Sequence, residues 1–228
     1  MTELAVFDMA GTTIEEHGAV YAALRHSVEH HGVPVDAEDL QTWMGTDKRE
    51  AMHALIRLGG GSPTPELVEE SYEVFSARLR ALYAETPPTP LPGVAAALAT
   101  LRSGGVRVAL TTGFSDDVAE PLLASLGWSS EPGGNLDAVV TSDAVPRGRP
   151  APYMIHRAME RTGVLDVRKV LVAGDTAVDL LAGTNAGAGE VIGVLTGGVP
   201  REVLGKEPHT RILASVAEVP EVVLAGVA

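Results

Sequence analysis

The sequence predicts an α/β protein: a doubly wound, Rossmann-like parallel sheet with an all-helical segment inserted after the first strand. Two observations predict the sheet. Short apolar runs recur, as at Ala5–Phe7, Val108–Leu110 and Val170–Ala173, and each leads into a carboxylate, hydroxyl or glycine. From residue 93 onward these runs alternate with stretches of helical periodicity, the pattern of βα units in a parallel sheet. A third observation predicts the insertion: between Gly18 and Glu85 the apolar residues keep only the 3.6-residue helical period.

Taken in order, Ala5-Val6-Phe7-Asp8 reads as a buried first strand delivering Asp8 to the loop Met9-Ala10-Gly11-Thr12-Thr13 at its carboxyl end. Val20, Ala23, Leu24, Ser27 and Val28 then form one helical stripe. Val33-Pro34-Val35-Asp36 breaks it, and helices are expected over Ala37–Trp43 and Arg49–Leu58. Gly59-Gly60-Gly61-Ser62-Pro63 interrupts again, and Pro65 suits the first turn of a helix carrying Leu67, Val68, Tyr72, Phe75, Leu79 and Leu82. Thr86-Pro87-Pro88-Thr89-Pro90 reads as a stiff linker. The expected organisation is a discontinuous core, 1–14 with 87–228, and a helical domain over 15–86. After the linker, strands are expected at Val106–Thr112, Asp137–Thr141, Lys169–Asp175, Val191–Leu195 and Thr210–Ala214, with helices near 93–103, 115–126, 151–162 and 177–187. Ser129–Asn135 and Gly197-Gly198 read as loops, and the segment after Pro220 as a short helix.

With 228 residues, 45% hydrophobic and 21% charged, the chain can bury a large core and is too apolar to be disordered. Its 30 acidic side chains outnumber 17 basic ones, and the net charge of −13 argues against general binding to nucleic acid or anionic membrane. An anionic small substrate stays compatible if a divalent cation or placed Lys and Arg side chains supply local positive charge. The absence of cysteine excludes a disulfide framework, thiol catalysis and thiolate metal sites, and fits a reducing cytoplasm. No apolar stretch approaches the roughly 18 residues of a membrane span. The N-terminus runs directly into a strand, so a cytoplasmic location without a signal peptide is expected.

Four segments carry polar groups of the kind that open α/β sheets gather at a ligand site. Asp8 is a potential nucleophile, followed by backbone at Ala10 and Gly11 that can approach a ligand and by the hydroxyls of Thr12 and Thr13. Thr111-Thr112-Gly113 offers a hydroxyl and backbone N–H groups ahead of a helix, which suits a phosphate. Val172-Ala173-Gly174-Asp175-Thr176 ends in a second carboxylate, with Asp179 on the next helix's first turn; N-capping is the ordinary use of either Asp. Asp8 and Asp175, from different strand ends, can share a hard cation that wants oxygen ligands, Mg²⁺ above all. Arg149, between Gly148 and Pro150, has little freedom and suits a fixed phosphate contact.

Asp8, Thr112, Arg149 and Asp175, in this order and spacing, make the chain resemble the haloacid dehalogenase superfamily over essentially its whole length. The helical insertion resembles that superfamily's cap. The resemblance implies that Asp8 attacks phosphorus, with Mg²⁺ bridging it to the phosphoryl group and held by Asp8, the Ala10 carbonyl, Asp175 and Asp179. Most phosphatases of the superfamily carry a second Asp two positions after the nucleophile, an acid for the leaving oxygen; here that position is Ala10. Asp8-Met9-Ala10-Gly11-Thr12-Thr13, Met44-Gly45-Thr46-Asp47-Lys48, Gly148-Arg149-Pro150, the Gly174-Asp175-Thr176 run with Asp179, and Asn185-Ala186-Gly187 resemble the phosphonatase branch, the phosphonoacetaldehyde hydrolases. That likeness implies Lys48 as a Schiff-base residue with Met44 beside it, and Gly11, Thr12, Thr112, Gly113 and Arg149 as contacts of a small anionic phosphonate. The branch's cap-mediated dimer makes a homodimer the expectation.

The pattern is chemically coherent. Breaking a C–P bond expels a carbanion unless an iminium on a neighbouring carbonyl carbon receives the electrons, and then no leaving oxygen needs an acid at Ala10. Lys48 must be neutral to attack, through desolvation or a neighbouring cation such as Arg49. Two positions depart from the branch. Its histidine three residues after the lysine is Ala51 here, with His53 off the helical face of Lys48, and its tyrosine after Thr-Thr-Gly is Phe114. These departures point to another 2-oxo-alkylphosphonate in place of phosphonoacetaldehyde itself. Two alternatives stay open: a phosphate monoesterase in which Lys48 only binds substrate, and an inactive phosphometabolite-binding protein. Retention of Asp8 and Asp175 speaks against the latter.

Overall fold

Leu4–Asp8 forms the first strand (β1), apolar up to its last residue and buried throughout, as a central strand of a parallel sheet must be. The computed structural model describes residues 1–224 and divides into two units, Met1–Glu15 together with the chain from Thr89 onward, and Glu16–Pro88. After β1 the chain turns sharply and makes a two-residue strand, Ile14–Glu15 (β2).

The Glu16–Pro88 unit is helical: Ala19–Glu29 (α1), Ala37–Thr42 (α2), Lys48–Leu58 (α3) and Pro65–Glu85 (α4). Each of the last three begins on a side-chain cap, with Asp36, Asp47 and Thr64 accepting from the N–H groups of Glu38, Glu50 and Leu67. Pro65 occupies the first turn of α4, where a missing N–H costs nothing. The apolar stripes of α1, α3 and α4 meet in a core of Leu24, Met52, Leu55, Ile56, Phe75 and Leu79, all fully buried.

Thr89–Pro90 forms a short strand (β3) antiparallel to β2, with Ile14 opposite Pro90. The proline-rich segment therefore ends as paired structure, which a reading of it as linker does not anticipate. Proline lacks a donor, but in a two-stranded ribbon its N can face away from the partner. The chain continues through Val94–Ser103 (α5), Arg107–Thr111 (β4), Asp116–Ser125 (α6), Ala138–Val140 (β5), Tyr153–Thr162 (α7), Val170–Gly174 (β6), Ala177–Ala186 (α8), Glu190–Val194 (β7), Arg201–Leu204 (α9), Arg211–Leu213 (β8) and Val219–Leu224 (α10). Every strand and helix expected in this part is present, with ends displaced by a residue or two, and the one-turn α9 is additional. The helix expected after Pro220 is α10, which begins one residue earlier; residues 225–228 lie outside the described residues. No helix among the described residues is long and apolar enough to cross a membrane.

The six strands form one parallel sheet in the order β5-β4-β1-β6-β7-β8. From β1 the chain proceeds to β4 and β5 on one side; from β6 it proceeds to β7 and β8 on the other. The connections diverge between β1 and β6, and that crevice at the carboxyl ends of the strands is where doubly wound sheets bind ligands. Asp8 stands last on β1, in register with Thr111 of β4, and Asp175 follows β6 directly.

Phe75 has no exposed surface, whereas Leu58 at the end of α3 is 54% exposed. Phe75→Ala should lower the stability of the helical unit by about 3–5 kcal/mol, and Leu58→Ala should change it little. Urea unfolding followed by circular dichroism reads the difference.

Candidate active site

The loop after β1 is built to bring backbone close to the crevice. The N–H groups of Thr12, Thr13 and Ile14 all donate to the Met9 carbonyl, at 3.2, 2.8 and 2.9 Å. The Thr13 hydroxyl donates to the Asp8 carbonyl at 2.9 Å. Gly11 has φ +83°, a left-handed conformation that side chains disfavour. A β-carbon there would also stand 2.7 Å from Asp175 Oδ2. The tight turn thus sets the Thr12 hydroxyl 2.7 Å from Asp175 Oδ1, to which it donates.

Across the crevice, Gly174 ends β6, and a side chain there would overlap Asp179. Thr176 caps α8, and its N–H and hydroxyl both donate to Asp179 Oδ2, the N–H at 3.1 Å, in a capping box. Capping and site geometry are therefore one arrangement: the cap holds Asp179 with its other oxygen turned to Arg149. Arg149 Nη1 lies 2.6 Å from Asp8 Oδ1 and 2.7 Å from Asp179 Oδ1, and Nη2 donates to the Thr111 hydroxyl at 3.0 Å. The Arg149 loop is clamped by α8, whose Asn185 amide donates to the Pro150 carbonyl at 2.8 Å.

One ligand oxygen each from Asp8, Asp175 and Asp179 lies within 4.8 Å of the others, and all three residues are buried. Burial first, and then the charges of Asp8 and Asp179, hold the Asp175 carboxyl well above the usual carboxylate range, against the Thr12 hydrogen bond. Burial pushes Asp179 up to about 6, opposed by Arg149 and reinforced by Asp8. Burial also works against the Arg149 charge, but Asp179 and Asp8 overcome it and raise this guanidinium further. Three carboxylates with one guanidinium leave excess negative charge in a small volume. A hard divalent cation with oxygen ligands fits that donor set, and Mg²⁺ is such a cation.

The Thr112 N–H donates to the Val140 carbonyl at 3.0 Å, and the Thr112 hydroxyl accepts from the Phe114 N–H at 3.1 Å. Thr111, the last residue of β4 and not singled out from the sequence, is the hydroxyl that meets Arg149. Gly197, read as plain loop, packs against Asp175 so closely that a β-carbon would overlap its carboxylate. Ala10 is partly exposed and Gly113 is buried.

Lys48 and Met44 belong to the helical unit, and both are buried. The segment between α2 and α3 turns at Gly45, with φ +79°, and the Thr46 hydroxyl donates to the Trp43 carbonyl at 2.7 Å. Lys48 is then the first residue of α3, and its Nζ donates to the Thr46 carbonyl at 3.1 Å. Arg49, next to Lys48 in the chain, is itself paired. Its guanidinium makes two hydrogen bonds to Glu69, of 2.8 and 2.7 Å, and lies 3.6 Å from the Tyr72 ring centre. Ala51 is fully buried and His53 is exposed.

Comparison with known proteins agrees with this architecture. The model of the haloacid dehalogenase-like hydrolase family matches residues 2–187. A phosphonoacetaldehyde hydrolase of Bacillus cytotoxicus is 31% identical over 234 residues, covering 97% of this chain and 86% of the relative. A solved hydrolase from Pseudomonas syringae superposes with TM-score 0.86 at 23% identity, covering all of both chains. A phosphonoacetaldehyde hydrolase-like protein from Oleispira antarctica gives TM-score 0.82 at 23% identity, covering 99% of this chain and 92% of the other. At these identities the two structures speak for the fold alone.

The raised Asp179 fixes the sign of a pH effect in metal-free protein. Between the ordinary value of 3.8 and about 6, the folded chain keeps a proton that the unfolded chain has lost, so stability falls as pH rises through this window. In chelator, the melting temperature of the native protein relative to Asp179→Asn should drop from about pH 4 to about pH 6. A difference that does not vary with pH would show an unshifted carboxyl.

Proposed function

This chain belongs to the haloacid dehalogenase-like hydrolase family, and from that premise we propose that it hydrolyses the C–P bond of a 2-oxo-alkylphosphonate. The observation that carries the reading is the pairing of Ala10, two positions after Asp8, with a buried lysine, Lys48, at the start of α3. A phosphate ester needs an acid for its leaving oxygen, and the first of these residues cannot be one. A carbonyl-bearing phosphonate needs an amine, and the second is one.

The residues then act as follows. The Lys48 amine condenses with the substrate carbonyl and releases water, leaving an iminium. This step requires the neutral amine. The Asp8 carboxylate attacks phosphorus while the C–P bond breaks, and the bonding pair moves into the iminium to give an enamine on Lys48. Protonation of the enamine carbon and attack of water on the resulting imine release the aldehyde or ketone and restore Lys48. A second water hydrolyses the aspartyl phosphate and restores Asp8. Arg149, fixed by Asp179 and the Thr111 hydroxyl, holds the Asp8 carboxylate in place. Thr12, Thr112 and the backbone at Gly11 and Gly113 complete the phosphonate contacts in this reading. Asp8, Asp175, Asp179 and the Ala10 carbonyl would hold Mg²⁺, which when bound neutralises charge between the nucleophile and its anionic target.

Phosphate release should be seen with phosphonoacetaldehyde or related 2-oxo-alkylphosphonates and be weak with phosphate monoesters. Asp8→Asn should abolish turnover, because an amide can neither attack phosphorus nor balance the cation. Lys48→Arg keeps the charge but cannot form an imine, so C–P cleavage should fall by several orders of magnitude. Borohydride added with substrate should inactivate the native enzyme and leave a mass increment on the Lys48 peptide. An active Lys48→Arg enzyme, no trapping and turnover of monoesters would make this protein a phosphatase.

A further inference from the structure

We infer that Gly197 is a positioning residue of the metal site: its lack of a side chain lets the loop after β7 wall in the Asp175 carboxylate. The inference rests on the metal reading above and is independent of which bond is cleaved. A β-carbon built on Gly197 would overlap Asp175 Oδ2 and lie 2.6 Å from Cγ and 2.7 Å from Cβ, so this backbone touches the whole Asp175 side chain. Conformation does not demand glycine here, because neither Gly197 nor Gly198 has a positive φ. Close approach is what demands it.

The wall has a physical purpose. Asp175 carries a buried carboxylate repelled by Asp8 and Asp179, and without a barrier its side chain would rotate away from them. Gly11 and Thr12 confine it from the loop after β1, the first by its bare backbone and the second by a 2.7 Å hydrogen bond to Oδ1. Gly197 adds confinement from a third segment. The carboxylates are thus held in convergence before any cation arrives, and a cation meets a preformed donor set without having to assemble one.

Adjacent glycines supply a matched test, since a β-carbon on Gly198 meets nothing within 4 Å. Mn²⁺ binding to the purified full chain can be titrated by electron paramagnetic resonance, with Mg²⁺ as competitor and no turnover involved. Gly197→Ala should weaken Mn²⁺ binding about tenfold or more as Asp175 is displaced, and Gly198→Ala should stay within about twofold of the native protein. Equal affinities for the two variants would overturn the inference. Mn²⁺ binding by neither the native protein nor a variant would overturn the metal reading and this inference with it. The expected contrast without C–P cleavage would leave this inference standing and remove only the proposed substrate. Should Gly197→Ala not fold, the native protein decides by NMR: substoichiometric Mn²⁺ should erase the Gly197 amide signal and spare Gly105, which precedes β4 at the amino ends of the strands, opposite the carboxyl-end crevice. A persistent Gly197 signal would likewise overturn the inference.

Discussion

Asp8, Asp175 and Asp179 are buried together around a single guanidinium, and most of the local structure follows from keeping that charge in place. Two unit charges 4 Å apart interact by about 4 kcal/mol at an effective dielectric of 20, so each unrelieved repulsion here is comparable to a good part of a domain's net stability. The fold relieves it by several means at once. Arg149 pairs with two of the carboxylates, Thr12 donates to Asp175 and Thr176 to Asp179, and Asp175 and Asp179 become more basic. What the protein groups leave uncompensated is negative charge, the condition under which a dication binds.

Convergence of this kind needs close backbone approach as well as charge, and glycine provides it at three strand ends. Gly11 after β1, Gly174 at the end of β6 and Gly197 after β7 each leave space that an aspartate side chain fills. Sheet topology brings them together: β1 and β6 are neighbours whose connections leave in opposite directions, so the crevice between their ends is not covered by a crossover. The capping box of α8 shows how little is added for function alone, since the groups that satisfy its first turn also orient Asp179.

Much of this was legible in the sequence because burial and chemistry coincide there. An apolar run that stops at Asp8 or at Gly174-Asp175 states both a central parallel strand and a polar group at its carboxyl end. A Gly-Arg-Pro loop states a guanidinium with little freedom. The parts that were not legible depend on register or on proximity across the chain. Thr111 and Thr112 are adjacent and alike, and only the pairing of β4 with β1 and β5 decides which hydroxyl reaches Arg149. Gly197 looks like any loop glycine until Asp175, 22 positions earlier, is seen against it. The β2–β3 ribbon escaped notice because Thr86–Pro90 has the composition of a linker, and a two-residue strand carries no periodicity. The pairing of Arg49 with Glu69 was hidden because Glu69 lies on the next helix.

Charge crowding also bears on Ala10. An aspartate there would bring a fourth carboxylate into the loop that already carries Asp8, beside two acids whose protons are held up by burial and repulsion. A phosphatase can use that extra acid, since a leaving alkoxide needs a proton. On the reading proposed here the leaving group is an enamine, whose electrons stay in the carbon framework, and a proton donor at this position has nothing to do. The cost of a fourth carboxylate would then be uncompensated by any catalytic gain. On that reading the labour of the chain is divided: the sheet ends would handle phosphorus and its charge, and a lysine on the helical unit would handle the carbonyl. Substrate choice would then follow from which carbonyls Lys48 can accept, while the carboxylate cluster stays common to phosphonate and phosphate chemistry alike.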